Sequence, residues 1–288
     1  MQTDKIGNVI KVKLDVRGAG WEQWFLLSSD RHHDSPDCNR ELEIEHLEEC
    51  KKRKAMVIDC GDVFDAMQGK YDPRRTYKDI RPEYLQKMIE GSDYLDVIVN
   101  DAIDFYSKYA GSFLLMGRGN HETATKQHND TDLIDRLVSG INTKARSKIY
   151  SGYYGGWVRF QFAIQGTQCE SINLKYFHGA GGGGPVTKGV IQSNRQAVFL
   201  PDADIVVNGH IHESWVLAIP RERLSDAGVV YQDLQYHVRT ATYKNDYGDG
   251  SGGWHIETGK PPKPRGAVWL RFYLERKHVR IELIQCIV

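Results

Sequence analysis

Five short stretches of the chain carry side chains that hold metal ions or move protons. They are Asp30-Arg31-His32, Gly61-Asp62, Gly119-Asn120-His121-Glu122, His178-Gly179 and Gly209-His210-Ile211-His212. Carboxylate, amide oxygen and imidazole donors in one set suit Mn²⁺, Fe, Zn²⁺ or Ni²⁺, and suit Mg²⁺ less well because histidine is abundant. Each stretch alone has a plain structural explanation. An aspartate after glycine caps a helix or makes a turn. Asn120-His121 after two glycines reads as turn chemistry. A single histidine is commonly a hydrogen-bonded core or surface residue. All five in this order, each directly after an apolar run, are hard to ascribe to coincidence.

Those apolar runs are the elements that must position the chemistry. "WFLLSSD" covers Trp24 to Asp30, "AMVIDCGD" Ala55 to Asp62, "SFLLMGRGNHE" Ser112 to Glu122, "INLKYFHG" Ile172 to Gly179 and "DIVVNGHIH" Asp204 to His212. Short apolar runs rich in β-branched and aromatic residues and bounded by glycine read as buried strands. Between them lie helical patterns. Residues 39–54 put acids early and bases late, with Leu42, His46, Leu47 and Cys50 near one face. "PEYLQKMI", "DYLDVIVNDAIDFYSKY" and "TDLIDRLVSGI" read as helices too. Strands alternating with helices predict an α/β architecture. In open α/β sheets ligands sit outside the carboxyl ends of strands, so five strand ends can converge on one point. Near the C-terminus, "QYHVRTATYK" and "GAVWLRFYLERKHVRIELIQC" alternate in the β manner and predict antiparallel strands on a second sheet or edge. Two glycine-rich stretches, His178–Gly189 and Asn245–Gly266, read as loops over this scaffold.

The set "DRH", "GD", "GNHE", "H" and "GHIH" resembles the motif series of the calcineurin-like metallophosphoesterase superfamily and spans residues 30 to 212. The resemblance implies a β-sandwich flanked by helices, in α-β-β-α layers, with a two-metal site at one edge. It implies that Asp30, His32 and His212 bind one metal ion. Asn120, His178 and His210 would bind the other, and Asp62 would bridge them. His121 would be the catalytic imidazole that is not a ligand. The residues after the first motif, "HDS", depart from the apolar-glycine pair common in the family, and Glu122 stands where aspartate is commoner. Physical chemistry agrees with these roles. A carboxylate bridge offers two oxygens and a charge against two divalent ions, most simply two Mn²⁺, and a nearby imidazole can protonate a leaving oxygen.

Composition bounds the rest. The chain has 288 residues, enough for one domain over residues 1–288 with a C-terminal glycine-rich loop and β segment from about 240. Lys+Arg and Asp+Glu both number 38, so no global positive field draws the chain to nucleic acid. No apolar run has the ~20 residues of a membrane helix. The first residues lack a signal-peptide pattern, and the scattered cysteines form no Cys-x-x-Cys pair, which points to the cytoplasm and away from a disulfide framework or zinc ribbon. "GDVFD" resembles the repair-nuclease branch, and "YGDGSGGWHIETGKPPKP" resembles small phage-encoded phosphoesterases. The favoured expectation is a phosphodiesterase acting on DNA, RNA or a nucleotide. A phosphomonoesterase or protein phosphatase, or a non-catalytic scaffold, are the alternatives. Arg118, with Tyr247, Trp254 and His255 as stacking residues, are the substrate-contact candidates. Arg74, Arg75, Lys188, Arg195, Lys260, Lys263 and Arg265 add local positive charge.

Overall fold

A computed structural model describes residues 1–68, 79–165, 168–184, 186–251 and 254–288, without the side chains of residues 168, 254 and 255. The chain opens with a hairpin of β1 (Gln2–Ile6) and β2 (Val9–Val16). Alternation in β2 buries Ile10, Val12, Leu14 and Val16 on one face. Then come β3 (Glu22–Ser28), α1 (Arg40–Arg53) and β4 (Met56–Asp59). Helix α1 starts where the Asn39 side chain accepts from the Leu42 N–H at 3.0 Å, and ends at Lys54 in the left-handed region. The acid-early, base-late order lies within it, and its buried face is Leu42, Glu43, His46, Leu47 and Cys50.

Next are α2 (Pro82–Ile89), α3 (Tyr94–Tyr106), a 3₁₀ turn over Ser107–Ser112 and β5 (Phe113–Met116). Helices α4 (Asn120–Asn129) and α5 (Leu133–Ala145) follow, then β6 (Tyr150–Ser151), β7 (Gly155–Ile164), β8 (Gln168–Phe177), α6 (Val190–Phe199) and β9 (Ile205–Asn208). The chain closes with β10 (Trp215–Leu224), β11 (Val230–Arg239), α7 (Trp254–Glu257), β12 (Gly266–Glu275) and β13 (His278–Ile287).

These strands form two mixed sheets. One has the order β1-β2-β7-β8-β9-β11-β10, the other β13-β12-β3-β4-β5-β6. The core between them includes Phe25, Ile58, Phe160, Phe162, Leu174 and Phe272. Phe25 lies 4.9 Å from Phe160, ring to ring, and Phe160 lies 4.8 Å from Phe272. A second core joins the outer face of the six-stranded sheet to α1, α3 and α5 through Val57, Phe113, Leu137 and Ile141. On the other outside, the segment after α6 is hydrogen-bonded to Arg221 and Gln235. The architecture is the α/β sandwich flanked by helices expected above.

The C-terminal reading needs one correction. Residues 266–287 do form an antiparallel hairpin, joined through β12 to β3 at the edge of the six-stranded sheet. "QYHVR" ends β11 in the other sheet, where it runs antiparallel to β10 on one side and parallel to β9 on the other. "TATYK" is the crossing between the two sheets, and it passes against the first motif: the Asp30 carbonyl accepts from Tyr243 N–H and Thr242 Oγ1. Among the described residues, no helix is long and apolar enough to cross a membrane.

Candidate active site

β3, β4 and β5 are parallel neighbours, and so are β8 and β9, so their carboxyl ends share one end of the sandwich. Each motif starts within a few residues of such an end. Backbone hydrogen bonds lace the loops together: Asp30 N–H to Gly61 O at 2.8 Å, His32 N–H to Asp62 O at 3.1 Å, and Gly209 N–H to His178 O at 2.7 Å. Asp30, His32, Asp62, His210 and His212 all hold positive φ, between 45° and 77°. Non-glycine residues rarely adopt this region, and clusters of them mark places where side-chain direction outweighs backbone ease.

Their side chains meet in one pocket of donors. His32 Nε2 and His212 Nε2 are 3.3 Å apart, and His212 Nε2 is 3.4 Å from Asp30 Oδ1. On the other side Asn120 Oδ1 is 3.0 Å from His178 Nε2 and 2.7 Å from His210 Nδ1. Asp62 Oδ2 is 3.1 Å from His178 Nε2. His121 donates its backbone N–H to Asp62 Oδ1 at 3.0 Å, while its Nε2 stays 3.8 Å from Asp62 Oδ2. Within the site, Asp30, His32 and His212 form one group able to hold a cation, Asp62, His178 and His210 form another, and His32, Asp65 and His121 a third that shares His32 with the first.

The electrostatics ask for positive charge. Burial opposes ionisation of Asp62, but His178 and His121 outweigh it and hold the carboxyl well below its usual range. In return, His178 is pushed up to about 9 against its burial, chiefly by Asp62. His121 is raised by Asp62 and Asp65 in the same way. Asp30 Oδ1 is buried without a hydrogen-bond partner. Two ring nitrogens facing each other at 3.3 Å and a buried carboxylate oxygen without a hydrogen-bond partner suit a cation held among them. The donor set fits divalent ions.

Asn120 and His121 are not a turn. They are the first residues of α4, capped by Gly119, whose N–H donates to Glu122 Oε2 at 2.7 Å. Gly119 has an ordinary extended φ of −108°. Its small size matters instead, because a Cβ there would lie 2.5 Å from Asp62 N.

Several residues beyond the seven donors and His121 shape the surroundings of the site. Asp65, three residues after Asp62, puts Oδ1 3.0 Å from His32 Nδ1, and its carbonyl accepts from His121 Nδ1 at 2.7 Å. Its carboxylate stood in "GDVFD" beside Asp62, and the spacing to Asp62 was the available signal. Glu122 accepts from the N–H groups of Asp62 and Phe64 as well as Gly119. His33 turns away from the site: Nδ1 is 2.8 Å from Glu43 and the ring packs on Phe105 and Tyr106. Asp34 accepts from Asp65 N–H, Ala66 N–H and Tyr94 OH, so it braces the loop after Asp62.

A cleft of about 580 Å³ opens over the pocket. Asp62, Asn120, His121, His210 and His212 form its floor, and both glycine-rich loops supply walls, with Gly181–Gly183 and Lys188 from one and Thr258–Pro261 and Lys263 from the other. The substrate-contact candidates fare differently. Arg118 points elsewhere: it pairs with Asp132 at 2.9 Å and Asp135 at 2.8 Å and lies over the Tyr153 ring. Tyr247 is half-buried in the second loop and is not among the cleft-lining residues. The side chains of Trp254 and His255, and Arg74 and Arg75 entirely, lie outside the described residues.

Scans against family models and curated proteins return no match. Among solved structures, Entamoeba histolytica Vps29 complexed with Zn²⁺ is 11% identical, with 91% of this chain and 98% of that one covered and a TM-score of 0.37. A predicted phosphoesterase from Streptococcus pneumoniae is 11% identical over 92% of this chain and 90% of that one, at a TM-score of 0.31. A candidate 5′-nucleotidase from Staphylococcus aureus, in complex with α-ketoglutarate, is 16% identical over 92% of this chain and 54% of that one, at 0.44. Likenesses this remote assign no activity; only the site residues bear on it.

Proposed function

We propose that the protein is a binuclear metal-dependent phosphodiesterase acting on nucleic acid or a nucleotide. The observation that carries this reading is the meeting of seven donor side chains from five strand ends, with His121 beside them. Asp30, His32 and His212 would hold one divalent ion, Asn120, His178 and His210 the other, with Asp62 shared between them, and Mn²⁺ is the best-suited metal. When bound, the pair supplies Lewis-acid charge to the phosphoryl oxygens and lowers the pKa of water near neutrality.

The chain's own residues do the rest. The Asp65 carbonyl accepts from His121 Nδ1, so that nitrogen carries hydrogen and Nε2 is left to face the cleft. Asp62 and Asp65 raise the imidazole's proton affinity against the opposing effect of burial. His121 is therefore a reserve of one proton, delivered from Nε2 to the departing oxygen. Lys188, Lys260 and Lys263 line the cleft wall, with Lys263 paired to Glu213 there, and lysines in that wall suit a phosphodiester anion. The net charge of zero favours a short or single-stranded substrate over extended duplex contact.

A Mn²⁺-supplemented substrate panel tests the reading: bis-p-nitrophenyl phosphate against p-nitrophenyl phosphate, then single- and double-stranded DNA, RNA, cyclic nucleotides and a phosphopeptide. Diesters and nucleotide substrates should turn over faster than monoesters. Preference for the monoester or the phosphopeptide would make the protein a phosphatase. No turnover and no metal bound would make it a scaffold.

A further inference from the structure

The segment after β11 brings one lysine into the site, and no motif marks it. Lys244 Nζ lies 3.0 Å from Asp65 Oδ2 and 3.2 Å from Asp246 Oδ1, with only 13% of its side chain exposed. Asp65 Oδ1 in turn lies 3.0 Å from His32 Nδ1. Asp246 Oδ2 lies 3.9 Å from His212 Nδ1. His32 and His212 meet through their other nitrogens, the two Nε2 atoms. Each ring thus has one nitrogen in the pocket and the other toward a carboxylate, close at His32 and at 3.9 Å, beyond direct hydrogen-bond reach, at His212, and one ammonium ties the two carboxylates.

From this chain of contacts we infer that Lys244 is a positioning residue for the cation group formed by Asp30, His32 and His212. The inference rests on the function proposed above. An imidazole ligand is oriented by what its second nitrogen touches, and loss of such outer partners typically costs 10–100-fold in metal affinity. The backbone of the same segment is anchored to the first motif. Lys244 N–H donates to Thr242 Oγ1, which donates to the Asp30 carbonyl, and Tyr243 N–H donates there as well. Burial works against the Lys244 charge, but Asp65 and then Asp246 outweigh it and hold the ammonium above its ordinary range. The lysine therefore stays charged whenever the site is assembled.

Charge and position predict opposite signs for a lysine variant. Removing a cation near the pocket lifts repulsion and by itself tightens metal binding. Releasing Asp65 and Asp246 misaims His32 and His212 and loosens it. Mn²⁺ titration calorimetry on the full-length protein and on Lys244→Met separates the two. The expected result is a roughly 10–100-fold weaker affinity for one of the two ions, with the second ion held as in wild type. Lys244→Arg should restore most of the loss, because a guanidinium can still reach both carboxylates. In protein loaded with diamagnetic Zn²⁺ instead of Mn²⁺, the His32 Nδ1–H proton resonance should shift in Lys244→Met and return in Lys244→Arg. Should Lys244→Met fail to fold, Asp246→Asn tests the same tie, with the same single-ion weakening expected. Unchanged or tighter Mn²⁺ binding in whichever variant folds would overturn the inference. Wild-type protein that binds no Mn²⁺ would instead overturn the proposed function.

Discussion

Replacing Gly119 with alanine asks how tightly the site is built. The φ of −108° and ψ of −168° at Gly119 suit any residue, so alanine brings no backbone penalty. The effect is steric. A Cβ would lie 2.5 Å from Asp62 N and 2.6 Å from Asp62 Cγ. Asp62 has little freedom to withdraw. Its N–H donates to Glu122 at 3.1 Å, Oδ1 accepts from His121 N–H at 3.0 Å, and Oδ2 faces His178 at 3.1 Å. Relief requires the carboxylate or the Gly119 backbone to move by roughly an ångström. Overpacking of this kind costs about 1–3 kcal/mol, and the upper end applies because one of the opposing atoms is backbone. An ångström of displacement at a reacting centre costs on the order of 10²-fold in rate. Gly111 is the control: it lacks positive φ, and an added methyl there would meet nothing within 4 Å. Gly111→Ala should be neutral or stabilise by about 0.4–1 kcal/mol through the unfolded chain. Urea denaturation in EDTA, Mn²⁺ titration and bis-p-nitrophenyl phosphate hydrolysis would be run on both variants. A Gly119→Ala protein matching wild type in all three would refute the claim that Asp62 is wedged against this glycine.

Asp62→Asn should lose both Mn²⁺ and activity in metal analysis and kinetics, because the shared carboxylate charge is gone. His121→Ala should retain two Mn²⁺ yet fall about 10²–10⁴-fold in kcat, the usual contribution of a placed acid; an emptied metal site would refute the role. Arg118→Gln should cost about 1–2 kcal/mol in denaturation, since its guanidinium binds Asp132 and Asp135, and should leave KM unchanged. Burial, aided by Arg31 at His46 and by Arg221 at His237, lowers both histidines to about 4, so they stay neutral in the folded protein when the unfolded chain already takes up protons near 6.5. Stability should therefore fall as pH drops from 6.5 towards 4, by about 2–3 kcal/mol per histidine at the lower end. Denaturation of His237→Gln across that range should show a shallower fall than wild type.

How much of this was legible depended on what each residue's neighbours do. The strands bearing the motifs were readable because both faces are buried: Phe113 to Met116 are all covered, so the run is continuously apolar. Helix α4 was not, because "NHETATKQHN" buries only Glu122 and Thr125 and shows no apolar stripe. Helix α6 reverses the usual signal, burying Ser193 and Gln196 while Ile191, Val198 and Phe199 stand exposed. His32 and His33 are adjacent and chemically identical; the Asp-x-His spacing favours His32, and the packing of His33 against Glu43, Phe105 and Tyr106 turns that ring away from the site. Lys244 follows no spacing rule, since it reaches Asp65 across 179 positions of chain.

The deepest gap between sequence and site is conformational. Asp30, His32, Asp62, His210 and His212 sit at positive φ, where a residue other than glycine gives up on the order of 1–3 kcal/mol. A sequence chosen for stability alone would place glycine or asparagine at such points. Here glycine takes the neighbouring positions: at 119, 179 and 209 a side chain would collide with Asp62, His210 or Asp30, and at 61 with the backbone of Arg118 and Gly119. The strained positions keep the aspartates and histidines. The distribution has a direct explanation if the donors themselves are what the site requires. Glycines make room, polar residues accept the strain, and the carbonyls of Gly61, Asp62 and His178, accepting from the N–H groups of Asp30, His32 and Gly209, hold the strained backbone in place. Strain retained at every donor-bearing turn of the first, second and last motifs is therefore an argument for chemistry at this site that does not depend on motif matching.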